Sequence, residues 1–183
     1  MAALIDAARA PDYPAEIVGV IANTPSAAGL EHARARGLET AVVRLKDHAD
    51  KAAADAAIEA QLKAWEVDII CLAGFMRLLG PEFCERWQGR ILNIHPALLP
   101  AFPGLDTHRR ALEAGVSEHG CTVHFVTADM DEGPVIGQAR VPILPGDTPE
   151  TLAARVLVEE HKLYSACLAK VAREEILMTD PTP

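Results

Sequence analysis

Val67-Asp68-Ile69-Ile70-Cys71-Leu72-Ala73, followed at once by Gly74, is the stretch on which the fold turns. Its apolar residues stand at successive rather than alternate positions, so it has no polar face. That pattern belongs to a strand covered on both sides, as in a parallel sheet. Upstream, Asp47 begins a long Ala-rich helix reaching about Trp65. Downstream, Pro81 suits the first turn of a short helix ending near Trp87, and Arg90-Ile91-Leu92-Asn93-Ile94 reads as the next strand. Strand, helix and strand in that order require a crossover connection and hence parallel pairing.

The same alternation extends toward the start. Met1 to Ala10 sets Leu4, Ile5 and Ala8 at helix spacing, and Pro11 to Pro14 stops it. Ile17-Val18-Gly19-Val20-Ile21 reads as a buried strand. A helix capped by Ser26 follows, with Leu30 and Ala33 on its inner face and Gly37 past its end, and Thr40 to Leu45 reads as a strand. Beyond Asn93 the pattern changes. Pro96 to Pro103 is a rigid irregular loop, and Asp106 or Thr107 caps a helix that Gly115 terminates. Thr122 to Val126 and Val135 to Ile143 read as antiparallel strands around the turn Asp129-Met130-Asp131-Glu132-Gly133. Asp147 and Glu150 have capping-box spacing, Pro149 suits the first turn of a final helix to about Arg173, and Thr179 to Pro183 reads as a frayed tail. The expected fold is a Rossmann-like three-layer α/β sandwich, its mostly parallel central sheet extended by antiparallel strands. No repeat or linker divides the chain, so one domain over 1–183 is expected.

Composition narrows the function. With 183 residues, half of them apolar, the chain can bury a core without disulfides or metal. A formal net charge of -9 argues against nucleic acid, whose binding runs on Lys and Arg. Cys71, Cys84, Cys121 and Cys167 form no CxxC pair and mostly sit in apolar runs, as reduced core thiols do. The start is not basic-then-apolar, and no window approaches the ~20 apolar residues a spanning helix needs. The expectation is a soluble cytoplasmic protein with small-molecule substrates and no membrane partner, a monomer or homodimer.

Asn93 and His95 lie two apart at a strand end, so their side chains share a direction while Ile94 turns toward the other layer. Ligands of open α/β sheets bind beyond such ends, and Pro96 ends the strand there. Taken alone, the pair equally suits a loop whose backbone it satisfies. Asp131, alone, suits a turn carboxylate bonding its own backbone. Brought to His95, it would orient the imidazole and stabilise its protonated form, so that His95 and the Asn93 amide could hold an oxyanion. There is no GxSxG elbow and no Cys paired with a His, so the attacking group would come from the substrate. His119 and His124, five apart on a strand, face opposite sides and make a poor metal pair. Gly74-Phe75-Met76-Arg77-Leu78 is either an ordinary connection with an exposed Arg or an apolar cleft wall for a flat ligand.

Asn93-Ile94-His95-Pro96-Ala97-Leu98-Leu99-Pro100, with Pro103-Gly104 following, resembles the loop of folate-dependent formyltransferases. Gly120 through Ile136, with Asp131-Glu132-Gly133, resembles their second signature, and Leu72-Ala73-Gly74-Phe75-Met76-Arg77 is also similar. The resemblance covers essentially the whole chain. It implies formyl transfer from 10-formyltetrahydrofolate, as co-substrate and without metal, to the amine of glycinamide ribonucleotide in purine biosynthesis. It also implies Asn93, His95 and Asp131 as catalytic residues. Met76, Arg77, Leu78 and Leu79 then lie along the folate pocket, Asp129, Glu132 and Gly133 border it, and Pro96 and Glu160 approach the nucleotide.

The resemblance departs most at the start, where the family has a central strand and a phosphate-gripping loop at a helix N-terminus. Met1 falls just after that loop, so the first strand is expected to be missing, with weaker nucleotide binding and lower stability. Ala97 stands where relatives often carry Ser, and Asp106 where some carry His. The alternatives are a formyltetrahydrofolate hydrolase using water as nucleophile and a truncated folate-binding relative without turnover. An initiator-tRNA formyltransferase would need a further domain and more positive charge.

Overall fold

The computed structural model describes residues 1–179 and builds α/β layers. The N-terminal half runs α1 (Ala2–Ala7), β1 (Gly19–Ala22), α2 (Ala28–Arg34) and β2 (Glu39–Val42). A 3-10 turn (Leu45–Asp47), α3 (Lys51–Ala64) and β3 (Ile70–Leu72) follow. The second half runs α4 (Pro81–Arg86), β4 (Ile91–His95), α5 (Thr107–Glu113), β5 (Glu118–Phe125), β6 (Val135–Pro142) and α6 (Pro149–Ala172). β3 pairs parallel with β4, and β5 and β6 extend that sheet antiparallel in the order β3-β4-β5-β6. β1 and β2 form a separate parallel pair.

Period-2 alternation in β4 builds the layers. Ile91 turns toward Leu62 of α3 and Phe83 of α4 on one face, while Leu92 turns toward Leu168 and Val171 of α6 on the other. β5 is buried from His119 to Phe125, because α6 covers one of its faces and the loop after β4 reaches over the other. The Rossmann-like sandwich with its antiparallel extension is therefore the observed fold.

Between β1 and β3 no strand pairing is present, and a cavity of about 1030 Å³ opens there. Val20 and Ile21 line it from β1 and Ile70 and Cys71 from β3, with Leu4 of α1 above and Leu62 of α3 below. A strand fills a slot about 4.8 Å wide and about 10 Å deep, rising about 3.3 Å per residue, so six residues would take roughly 950 Å³. The gap thus has room for about one strand between β1 and β3. It also explains why the strongest strand signal, Val67 to Ala73, yields only Ile70–Leu72, all three half-buried. With one edge open, the flanking residues have no ladder to join.

Helix starts differ from expectation at several points. Ser26 bonds Thr24 instead, and α2 begins after Ala27 without a side-chain cap. Asp47 sits in the 3-10 turn, which also ends β2 at Val42 rather than Leu45, and Asp50 caps α3 by accepting from Ala53 N at 2.8 Å. At α6 the capping box is Thr148 with Thr151, while Asp147 accepts from Leu144 N and Arg155. Asp106 precedes α5 with φ +57° and makes no cap bond, and Thr107 donates instead to the Pro96 carbonyl. Of the expected frayed tail, residues 180–183 lie outside the described residues. No helix among the described residues is long and apolar enough to cross a membrane.

Candidate active site

The parallel-to-antiparallel switch at β4 assembles the site. Register sets Asn93 opposite His124 and His95 opposite Thr122, so two polar pairs meet on one face of an otherwise apolar sheet. His124 Nδ1 lies 2.8 Å from the Phe125 carbonyl, which can only accept, so Nδ1 carries the proton. Nε2 is then the acceptor for Asn93 Nδ2, at 3.3 Å. Burial lowers the pKa of His124, which keeps the ring neutral in this role. Asn93 retains a second amide N–H.

His95, 5% exposed, is held between two oxygens. Nε2 donates to the Phe102 carbonyl at 3.0 Å, and Nδ1 lies 3.5 Å from Asp131 Oδ2. Asp131 reaches it from the β5–β6 turn with φ +59°, a left-handed conformation that Asp tolerates in turns. Its Oδ2 also accepts from Gly104 N at 2.9 Å, tying the turn to the loop after β4. Two residues later, a Cβ on Gly133 would stand 1.8 Å from the Phe125 carbonyl oxygen. Only glycine lets the turn fold this closely onto the end of β5 and deliver Asp131.

The loop after β4 is fastened from behind. The Thr122 hydroxyl donates to Ala97 O at 2.6 Å and accepts from Leu99 N at 3.0 Å, and Gln138 Nε2 donates to Leu99 O at 2.8 Å. Thr122, His124 and Gln138 were not singled out in the sequence as site residues. The available signal was the period-2 recurrence of Thr122 and His124 in the apolar run Cys121 to Phe125, which matches Asn93 and His95 on β4. Behind the loop, His119 packs edge-on to Phe102 at 5.8 Å and to His108 at 5.3 Å, with neither ring nitrogen hydrogen-bonded. Its burial pushes the pKa down to about 4. Among the described residues, no group of three or more His, Cys, Asp or Glu side chains is placed to hold a metal ion.

The remaining expected positions spread outward. In the segment after β3, Met76 and Leu78 are 72% and 54% exposed, whereas Leu79 is buried against Phe83. Arg77 is neither exposed nor free, because it pairs with Asp55 at 2.5 Å. Asp129 and Glu132 are exposed beside buried Gly133. Glu160, half-buried on α6, has its carboxyl pKa raised by burial, and among the described residues no hydrogen bond or ion pair ties it to His95. The large cavity lies between the two sheets, and His95 does not line it.

The arrangement suits carbonyl chemistry. An amide N–H and an imidazole on one strand end can hold a developing oxyanion, with a carboxylate behind the imidazole. Burial pushes the Cys71 and Cys121 thiols up to about 12, so neither is a thiolate nucleophile near neutral pH.

Residues 1–168 match the family model described as "Formyl transferase". A phosphoribosylglycinamide formyltransferase of Escherichia coli (strain K12) is 42% identical over 96% of this chain and 83% of its own length. A trifunctional purine biosynthetic protein adenosine-3 of Bos taurus is 48% identical over 93% of this chain, which spans 17% of that relative. The crystal structure of a phosphoribosylglycinamide formyltransferase from Brucella melitensis superposes with a TM-score of 0.91 at 57% identity, over 94% of this chain and 88% of that one.

Proposed function

This chain belongs to the formyl transferase family, and from that premise we propose that it transfers the formyl group of 10-formyltetrahydrofolate to the amine of glycinamide ribonucleotide in purine biosynthesis. The observation that carries the reading is the meeting of Asn93, His95 and Asp131. Two strand-end residues and one turn residue, 38 positions apart at the extremes, come together around His95. The substrate amine attacks the formyl carbon, a C–N bond forms, and the carbonyl electrons move to oxygen. Asn93 Nδ2 and His95 hold that oxyanion, the His95 Nε2–H turning from the Phe102 carbonyl to the incoming oxygen. Collapse of the intermediate breaks the bond to the folate nitrogen, which takes the proton the amine has lost. Asp131 orients His95 throughout and accepts that proton in transit through a water.

Met76 and Leu78 form the wall against which the flat folate lies, with Arg77 and Leu79 anchoring them, and the Asp129 to Gly133 turn closes its other side. Pro96 and Glu160 meet the nucleotide. Four unpaired cysteines fit a reducing cytoplasm. The identity to transferases over most of their length favours transfer over hydrolysis.

The test incubates the purified chain with 10-formyltetrahydrofolate, with and without glycinamide ribonucleotide, and follows free tetrahydrofolate and formylated product. Release that requires the ribonucleotide and formylates it supports the proposal. Equal release without the ribonucleotide would make the chain a hydrolase, and no release from folded protein would make it a binding relative without turnover.

A further inference from the structure

Asp55 lies on α3, is 3% exposed, and takes no part in the reaction above. A carboxylate taken out of water is costly unless its oxygens are paired. Here both are paired, and both to the same irregular segment. Oδ1 accepts from Arg77 Nη2 at 2.5 Å, and Oδ2 accepts from the backbone N–H of Gly80 at 2.8 Å. Gly80 is the residue that starts α4, so the second bond fixes the segment's far end. The first fixes its middle. The Arg77 guanidinium also lies 5.1 Å over the Phe75 ring and donates to the Leu78 carbonyl.

The consequence is an alternation without a strand. Residues 73–80 contain no helix or strand, yet Arg77, Leu79 and Gly80 are held inward while Met76 and Leu78 stand 72% and 54% exposed. An unbraced segment with two exposed apolar side chains would fold them onto the nearest apolar surface. Asp55 prevents this by gripping Arg77 and Gly80, which bracket Leu78 and Leu79.

We propose that Asp55 is a positioning residue for the formyl donor: through Arg77 and Gly80 it presents Met76 and Leu78 as a preformed apolar wall. The inference rests on reading that segment as the donor's wall. It makes Arg77 a brace rather than a ligand. Its effect falls on donor binding and leaves the chemical step alone, because Asn93, His95 and Asp131 stand on elements that Asp55 does not touch.

Asp55→Asn keeps the side chain's size and an acceptor for Gly80 while removing the charge partner of Arg77. For this variant, KM for 10-formyltetrahydrofolate should rise by about tenfold, with kcat within about twofold and KM for the ribonucleotide unchanged, as loss of uniform binding requires. Amide hydrogen exchange of residues 74–80 should quicken while β4 and β5 keep their protection. Arg77→Met should shift the same KM in the same direction, and Asp55→Asn/Arg77→Met should be no worse than the worse single variant, the signature of one shared contact. Arg77→Lys, which keeps the charge and leaves Asp55 paired, should recover part of the loss and serves if Asp55→Asn fails to fold. Exchange of 74–80 unchanged in every folded variant would overturn the brace, as would a fall in kcat with KM unmoved. If the wild-type chain transfers no formyl group, the functional reading fails by itself, and the exchange measurements still decide whether Asp55 braces the segment.

Discussion

Replacing His119 by Leu should make the protein markedly more resistant to acid. His119 is 1% exposed, makes no hydrogen bond from either ring nitrogen, and faces Phe102 and a second imidazole, His108. Burial, reinforced by the neighbouring His108, lowers its pKa from 6.5 to about 4. Between those values the unfolded chain binds more protons than the folded one, so stability rises with pH across the window and is lost as pH falls. Taking the folded value as about 4 and the unfolded as about 6.5, a drop from pH 7 to pH 4.5 removes about 2.5 kcal/mol through this one ring. Leu is close in volume and carries no charge, so the variant escapes this loss, and at neutral pH it leaves no orphaned ring nitrogen. Urea unfolding at the two pH values reads the difference directly. With a slope of about 2–3 kcal/mol/M, the wild-type midpoint should fall by about 1 M more than that of the variant. Equal falls in both, with unchanged slopes, would refute the assignment.

The reaction itself offers sharper perturbations. His95→Ala and Asp131→Asn should each lower kcat by about 10²–10⁴-fold without unfolding the protein, since each removes a group acting on the transition state. Steady-state rates beside thermal melts check both parts. Protonating His124 would set its Nε2–H against Asn93 Nδ2, donor to donor, so activity should fall on the acid side. The lowered pKa of His124 places that limb below the ordinary imidazole value, and His124→Gln should reduce kcat and reshape the limb in a pH–rate profile. Gly133→Ala should displace the β5–β6 turn, because its Cβ has no room beside the Phe125 carbonyl. We expect a large loss of kcat and a destabilisation of about 2 kcal/mol or more by chemical denaturation.

Alternation of buried strands and helices was legible because it depends on nearest neighbours along the chain. The side-by-side placement of Asn93 and His95 followed from the same two-residue period. Asp131 was legible as a partner of His95 only through resemblance, since a turn Asp says nothing about what it faces across 36 residues. Caps were misplaced wherever two polar residues lay within one turn, as with Asp47 and Asp50 or Asp147 and Thr148, because backbone geometry picks one and the other is left to bond elsewhere. The Arg77–Asp55 pair was illegible for a deeper reason. Its partners are 22 residues apart on different elements, and a lone Asp within an Ala-rich helix reads as a solvated face. Thr122 and His124 carried a signal, but one that takes meaning only when β5 lies beside β4.

The gap between β1 and β3 leaves the two sheets without a shared ladder. β1 and β2 pair only with each other, none of the four residues of β1 is fully buried, and β3 has one free edge. The two-stranded part therefore meets the rest of the molecule through side chains, Ile21 packing against the cluster of Leu62 and Phe83, and not through a strand ladder. Asn93, His95, His124 and Asp131 all belong to β4, β5 and the turn beyond, stitched to α6 through Leu92, Phe125 and Leu168. The residues proposed to hold an oxyanion thus stand on the laddered, α6-covered sheet, and the amide protons of β4 and β5 should exchange more slowly than those of β1 and β2.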